Sequence, residues 1–308
     1  MTKHWADWPE EIANKLRAGC VIPASPLALT QNRELDTVRQ RALVRYYCDA
    51  GAGGLAIGVH TTQFEIRDVG LYQPVLELVA QELDRWQQSP FLRIAGIVGK
   101  TDQARAEARI ARELGYHAGL LGLAGFQGVG EDEIIEHCRS IAAEIPVIGF
   151  YLQPAVGGIL LPVSFWHKFS QIDNVAAIKI APFNRYQTLD VVRGVMLAGA
   201  EDRITLYTGN DDNIVLDLIS PYRLCRGDEH VEIRIAGGLL GHWSVWTKSA
   251  VEIFDRCQLQ QLDEDLLVLA GQVTDCNAAF FDVANNFKGC IPGIHEILRR
   301  QGIFEGIW

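Results

Sequence analysis

Residues 175–181 read VAAIKIA. A strand over Val175 to Ile180 has no alternation of polar and apolar positions, so it is covered on both faces. That is the pattern of a parallel strand inside an α/β protein. In such a strand Lys179 is out of place, because an ammonium between two covered faces costs several kcal/mol unless it is paired.

On either side, short apolar runs alternate with helical periods. Cys20 to Ser25 (CVIPAS) is the first strand, and residues 33–50 follow as a helix with Leu35, Val38, Ala42, Leu43 and Tyr46 on one face. Gly53 to Gly58 is the second strand, with a helix over 66–87. Leu92 to Val98 is the third, with Thr101 as the N-cap of a helix over 102–115 that Gly115 closes. Ala118 to Leu123, Pro146 to Tyr151 and Val175 to Ile180 are the fourth to sixth, followed by helices over 131–143, 163–171 and 185–199. Arg203 to Thr208 is the seventh, with a helix over 211–219, and His230 to Ala236 is the eighth. Eight such alternations predict a (β/α)8 TIM barrel over residues 1–240, carrying the site, and a C-terminal helical region over 241–308. A doubly wound open sheet has fewer strands and a glycine-rich first turn; here that turn is Pro23–Ala24–Ser25–Pro26.

The bulk numbers fit one such unit. Of 308 residues 48% are hydrophobic and 21% charged, and the net charge is −10. That charge argues against a nucleic-acid or anionic-membrane partner, both of which require a basic face. The seven cysteines are odd in number and form no CxxC pair, which argues against disulfides or structural zinc and points to reduced cytoplasmic thiols. No run of about eighteen apolar residues is present.

A barrel carries its chemistry at the carboxyl ends of its strands. Burial lowers the pKa of Lys179 and frees a neutral amine to attack a ketone and form an imine. On position alone, a strand-end lysine paired with a carboxylate explains the residue equally well. Tyr151 ends the fifth strand and is a candidate proton relay; by itself it also fits a core aromatic. Gly58, His60, Thr61 and Thr62 follow the second strand and offer donors for a carboxylate, though turn chemistry accounts for them in isolation. Gly209 follows the seventh strand and permits close approach to a ligand. Asp211 and Asp212 read as openers of the next helix. No basic residue follows Gly237–Gly238 closely, so a phosphorylated substrate is not favoured.

Taken in order, GAGGLAIGVHTTQFE (51–65), GFYLQPAVGG (149–158), AAIKIAP (176–182), TGNDD (208–212) and FKGCIPGIHEIL (287–298) resemble the dihydrodipicolinate synthase / N-acetylneuraminate lyase family of class I aldolases. The resemblance implies an imine-forming Lys179, a Tyr151 relay with Pro154 in register, and Thr61 and Thr62 on a 2-oxo acid carboxylate. It also implies Gly209 and Ile235 in the pocket wall, no cofactor and no metal, and a homotetramer built from dimers. Two departures argue against a true dihydrodipicolinate synthase. No second tyrosine follows the fourth strand, where Phe126 and Gln127 stand, and Val156 stands where the synthases have an arginine for the second carboxylate. His60 and Gln63 replace glycines of the threonine loop. The expected activity is aldol cleavage or synthesis on a pyruvate-type substrate. Dehydration of a 2-keto-3-deoxy sugar acid by the same imine is the alternative, and a non-catalytic 2-oxo acid-binding barrel is the reading from another class.

Overall fold

The computed structural model describes residues 3–87, 89–259 and 261–308. In chain order the barrel strands begin with β1 (Val21–Pro23), β2 (Gly54–Ile57), β3 (Leu92–Ile97) and β4 (Ala118–Leu121). They continue with β5 (Val147–Leu152), β6 (Val175–Ala181) and β7 (Thr205–Thr208). A two-stranded hairpin follows, β8 (Tyr222–Arg226) and β9 (Glu229–Ile233), before the last barrel strand, β10 (Ile235–Leu240). The sheet order is β1-β10-β7-β6-β5-β4-β3-β2 and its paired strands run parallel. It closes on itself where the Gly53 amide donates to the Val21 carbonyl (2.9 Å) and the Ser25 amide to that of Ala56 (2.8 Å). The TIM barrel expected from the strand–helix alternation is therefore the architecture.

The helices are α1 (Glu10–Ala18), α2 (Thr37–Asp49), α3 (Tyr72–Trp86), α4 (Thr101–Glu113), α5 (Glu131–Ala142) and α6 (Val163–Ser170). They are followed by α7 (Arg185–Leu197), α8 (Ile214–Ile219), α9 (Thr247–Gln258), α10 (Glu264–Phe281) and α11 (Cys290–Arg300). Strand residues split by parity into two cores. Ile22, Ile94, Leu120, Ile148, Phe150, Ala177 and Tyr207 fill the barrel, while Ile57, Ile97, Val147, Ile178 and Ile180 pack outward against the helices. Helix α1, which the sequence reading did not mark, stops the amino-terminal end with Trp8, Ile12 and Leu16. Tyr207 donates its hydroxyl to the Leu16 carbonyl at 2.8 Å. Gly19 must be glycine there, since its φ is 81° and a Cβ would collide with the Ala236 carbonyl.

The eighth strand is displaced from its expected place. His230 to Ile233 belongs to the antiparallel hairpin, with Val231 and Ile233 buried and Glu229, His230 and Glu232 exposed. That alternation is the mark of a strand with one wet face. The barrel strand is the next one, and Ile235 opens it in register with Leu206. Thr101 is the first residue of α4 rather than its cap, and its hydroxyl meets His137 Nδ1 at 3.0 Å. The expected helix over 66–87 is broken at Gly70 (φ 70°) into a short turn, Phe64–Arg67, and α3.

Past the barrel, α9 packs on β1 and α10 on α8. Among the described residues no helix is long and apolar enough to cross a membrane. Five histidines, His60, His117, His137, His242 and His295, are held down to about 4, chiefly by desolvation. The unfolded chain takes up those protons below about 6.5 and the fold does not. Stability is thus lost as pH falls from 6.5 toward 4, by about 1 kcal/mol per histidine at pH 5.5. A melting temperature about 10 °C lower at pH 5.5 than at pH 7.5 is expected; equal values would contradict it.

Candidate active site

Parity along β6 turns Ala177, Lys179 and Ala181 into the barrel and Ile178 and Ile180 out of it. Lys179 is 7% exposed. Its Nζ lies 4.4 Å from the centre of the Phe150 ring, its register partner on β5. Among the described residues it makes no ion pair within 4.0 Å. Gly209 lets the side chain lie flat, because a Cβ there would sit 2.5 Å from Lys179 Cε. Burial lowers the lysine, opposed by the charge of Asp211. Burial raises the Asp211 carboxyl in turn, opposed by its bond from the His242 amide (2.8 Å) and by Lys179. The two shifts bring the lysine down to about 8 and the acid up to about 7, so the pair can exchange a proton near neutral pH. Asp211 is thus a partner of the lysine and not merely the opener of the next helix.

The threonine loop divides its tasks. Thr62 Oγ1 donates to the Ser25 carbonyl (2.7 Å) and accepts from the Gly58 (3.0 Å) and Val59 (3.2 Å) amides. It is fully buried and away from the cavity, so it holds the loop. Thr61 lines the cavity and donates to the Ala24 carbonyl at 2.7 Å. His60 also lines it, kept neutral at about 4 by burial and by the charge of Lys179. Gly58 turns the chain at φ 72° under Tyr72. Its carbonyl accepts from Arg67 Nη2 (3.1 Å), which also reaches the Gly96 carbonyl (3.0 Å), while Arg67 Nε binds Glu107 (2.8 Å). This buried pair ties the loop to the end of β3.

Tyr151 is not brought to Lys179. Since Phe150 pairs with Lys179, the next residue faces the other way. The Tyr151 ring lies 5.2 Å from Trp166 of α6, and its hydroxyl accepts the Leu161 amide at 3.2 Å. Tyr151→Phe is therefore expected to leave kcat within about threefold. It should lower stability by about 1–2 kcal/mol, because the Leu161 amide loses its acceptor. A loss of about a hundredfold in kcat would instead restore the relay role. Ile235 is likewise absent from the cavity, being at the amino end of β10; Gly241, just past its carboxyl end, stands there instead.

The cavity is narrow, with about 50 Å³ of room for the centre of a water molecule, and opens to solvent. Leu152, Gln153 and Val156 form one wall, and Phe183 another. Phe281, Phe287 and Cys290 come over the mouth from the C-terminal helices. Sequence reading missed this cover, since nothing in the heptad of β6 announces what a segment a hundred residues later lays over it. Phe126 sits elsewhere, against His137 of α5 at 4.4 Å. Among the described residues no three His, Cys, Asp or Glu side chains cluster as a metal site.

Comparisons with known proteins bear on the family and the fold. The model of the dihydrodipicolinate synthetase family matches residues 18–221. N-acetylneuraminate lyase 2 of Escherichia coli O6:H1 is 23% identical over 288 residues, covering 92% of this chain and 85% of that protein. An N-acetylneuraminate lyase of Citrobacter koseri is 24% identical over 203 residues, 65% of each chain. Dihydrodipicolinate synthase from Bacteroides thetaiotaomicron superposes with a TM-score of 0.78 at 12% identity, over 96% of this chain and 92% of its own. N-acetylneuraminate lyase from Mycoplasma synoviae gives 0.73 at 17% identity, over 94% and 90%. These two structures share the barrel. With the family model spanning more than half of its length, from the end of α1 to the start of the hairpin, the chain belongs to the dihydrodipicolinate synthetase family of class I aldolases.

Proposed function

We propose that the protein is a lyase that cleaves or forms a carbon–carbon bond next to a 2-oxo acid through an imine on Lys179. The observation that carries this reading is a desolvated lysine, unpaired within 4.0 Å, inside the barrel mouth with Asp211 beside it. The substrate carboxylate lies at Thr61, whose hydroxyl turns from the Ala24 carbonyl to donate to it, and the Lys179 amine adds to the ketone carbon. Asp211, in its protonated form, gives a proton to the carbinolamine oxygen, and water leaves. The resulting carboxylate then balances the iminium charge. The iminium draws electrons from the C3–C4 bond, and neutral His60 takes the proton of the C4 hydroxyl. Return of that proton to C3 and hydrolysis of the imine release pyruvate and restore the lysine.

Asp211 and His60 thus take the proton-handling role that the family resemblance assigned to Tyr151. Exposed Leu259, Leu262, Leu267 and Val268 around the α9–α10 junction support the homotetramer that belongs with this reading. After loss of a C3 proton the same imine permits departure of the C4 hydroxyl as water, so product analysis separates the two reactions. Incubation with a 4-hydroxy-2-oxo acid is expected to release pyruvate. A 2-keto-3-deoxy sugar acid that loses water while no substrate yields pyruvate would replace the aldolase with a dehydratase.

A further inference from the structure

We infer that the carbonyl fragment split from, or joined to, the 2-oxo acid is an uncharged aryl aldehyde. This rests on the imine reading above and concerns what fills the outer half of the same cavity. Phe150, Leu152, Val156, Phe183, Phe281 and Phe287 surround the space outside Lys179. Lys179 is the one lysine or arginine in the lining among the described residues. A carboxylated aldehyde would find no cation beyond the lysine already committed to the imine. A polyhydroxylated one would set its hydroxyls against rings and branched alkyl groups, with Gln153 as the sole neutral amide in reach.

The backbone points the same way. Phe183 (φ 52°) and Phe287 (φ 63°) are both left-handed, a conformation that bulky residues rarely adopt. Their rings meet edge to face at 5.4 Å across the mouth. Asp282 (φ 54°) and Asn286 (φ 55°) bend the same way, and the Asp282 carboxylate accepts the Gly289 amide at 3.0 Å, holding the turn that carries Phe287. Strain at two phenylalanines that meet over the opening indicates that their rings are placed there for use rather than for packing. A flat ring packs beside this pair with the edge-to-face geometry that aromatic pairs favour.

In the cleavage direction a 4-aryl-4-hydroxy-2-oxobutanoate is bound as the Lys179 iminium. The C3–C4 bond breaks, its electron pair forms the C2–C3 double bond of the enamine, and the nitrogen loses its charge. The hydroxyl proton passes to His60, and C4 becomes the aldehyde carbon. Protonation of C3 and addition of water give pyruvate and free enzyme, so one hydroxy-oxo acid yields one aldehyde and one pyruvate with no oxidant or reductant.

The test uses the full chain in the synthetic direction, with pyruvate and, separately, benzaldehyde, N-acetylmannosamine and succinic semialdehyde, the products being quantified by mass spectrometry. Benzaldehyde should be favoured in kcat/KM by roughly a hundredfold. Phe287→Asn removes the ring and tolerates the left-handed backbone; it should raise the KM for benzaldehyde roughly tenfold, with a smaller change in the KM for pyruvate. Phe183→Asn serves the same purpose if the first variant does not fold. Preference for the sugar or the semialdehyde, with pyruvate still trapped on Lys179 by borohydride, would overturn this inference and leave the imine intact. Failure of trapping would overturn both.

Discussion

Lys179→Met is expected to abolish turnover, by at least about 10⁴-fold, while leaving the protein folded and no less stable. Methionine matches the length of the lysine stem and removes the group whose burial costs free energy. Asp211 tolerates the loss because burial already favours its neutral form. The opposite outcome follows if Lys179 is a structural ion-pair lysine. Then Lys179→Met destabilises by about 3–5 kcal/mol, having stranded a buried carboxylate, and Lys179→Arg keeps much of the stability. Melting temperature and turnover, measured on the same preparations, separate the two.

The second large effect is at Asp211. Asp211→Asn retains an oxygen to accept the His242 amide, so the turn after β7 persists. What it loses is a carboxyl able to exchange a proton with the carbinolamine. A fall in kcat of about 10²–10³-fold is expected. The sign of a second readout is also set. The Asp211 charge raises Lys179, so its removal lowers the lysine further, and the pH profile of imine formation should move to lower pH. A variant with normal kcat and an unmoved profile would return Asp211 to the role of a helix opener.

The barrel was legible in its apolar runs because seven of its strands are short, buried on both faces and separated by amphipathic helices. The eighth was not. HVEI (230–233) is apolar enough to pass for a barrel strand, yet its alternation belongs to the hairpin, and the glycine-rich Ile235–Leu240 hides the true strand in what reads as a turn. That shift moved Ile235 from the wall of the site to the floor side of the barrel.

Lys179 was legible since a charge in an apolar heptad is a local anomaly. Tyr151 misled because strand ends do not declare which way a side chain faces. Only the pairing of Phe150 with Lys179 sets that parity, and pairing is a relation between two strands. Asp211 carried no signal of its pairing with the lysine, because the proton balance between them arises from burial that three-dimensional packing creates. Phe281 and Phe287 arrive from the C-terminal helices, beyond the reach of any pattern in the barrel itself.

The central claim is the imine on Lys179, and borohydride reduction in the presence of pyruvate tests it most directly. After reduction, intact mass and peptide mapping should show one pyruvate-derived adduct per chain, on the peptide that carries Lys179. No adduct with pyruvate or any of a panel of 2-oxo acids, or an adduct on another lysine, would contradict the account.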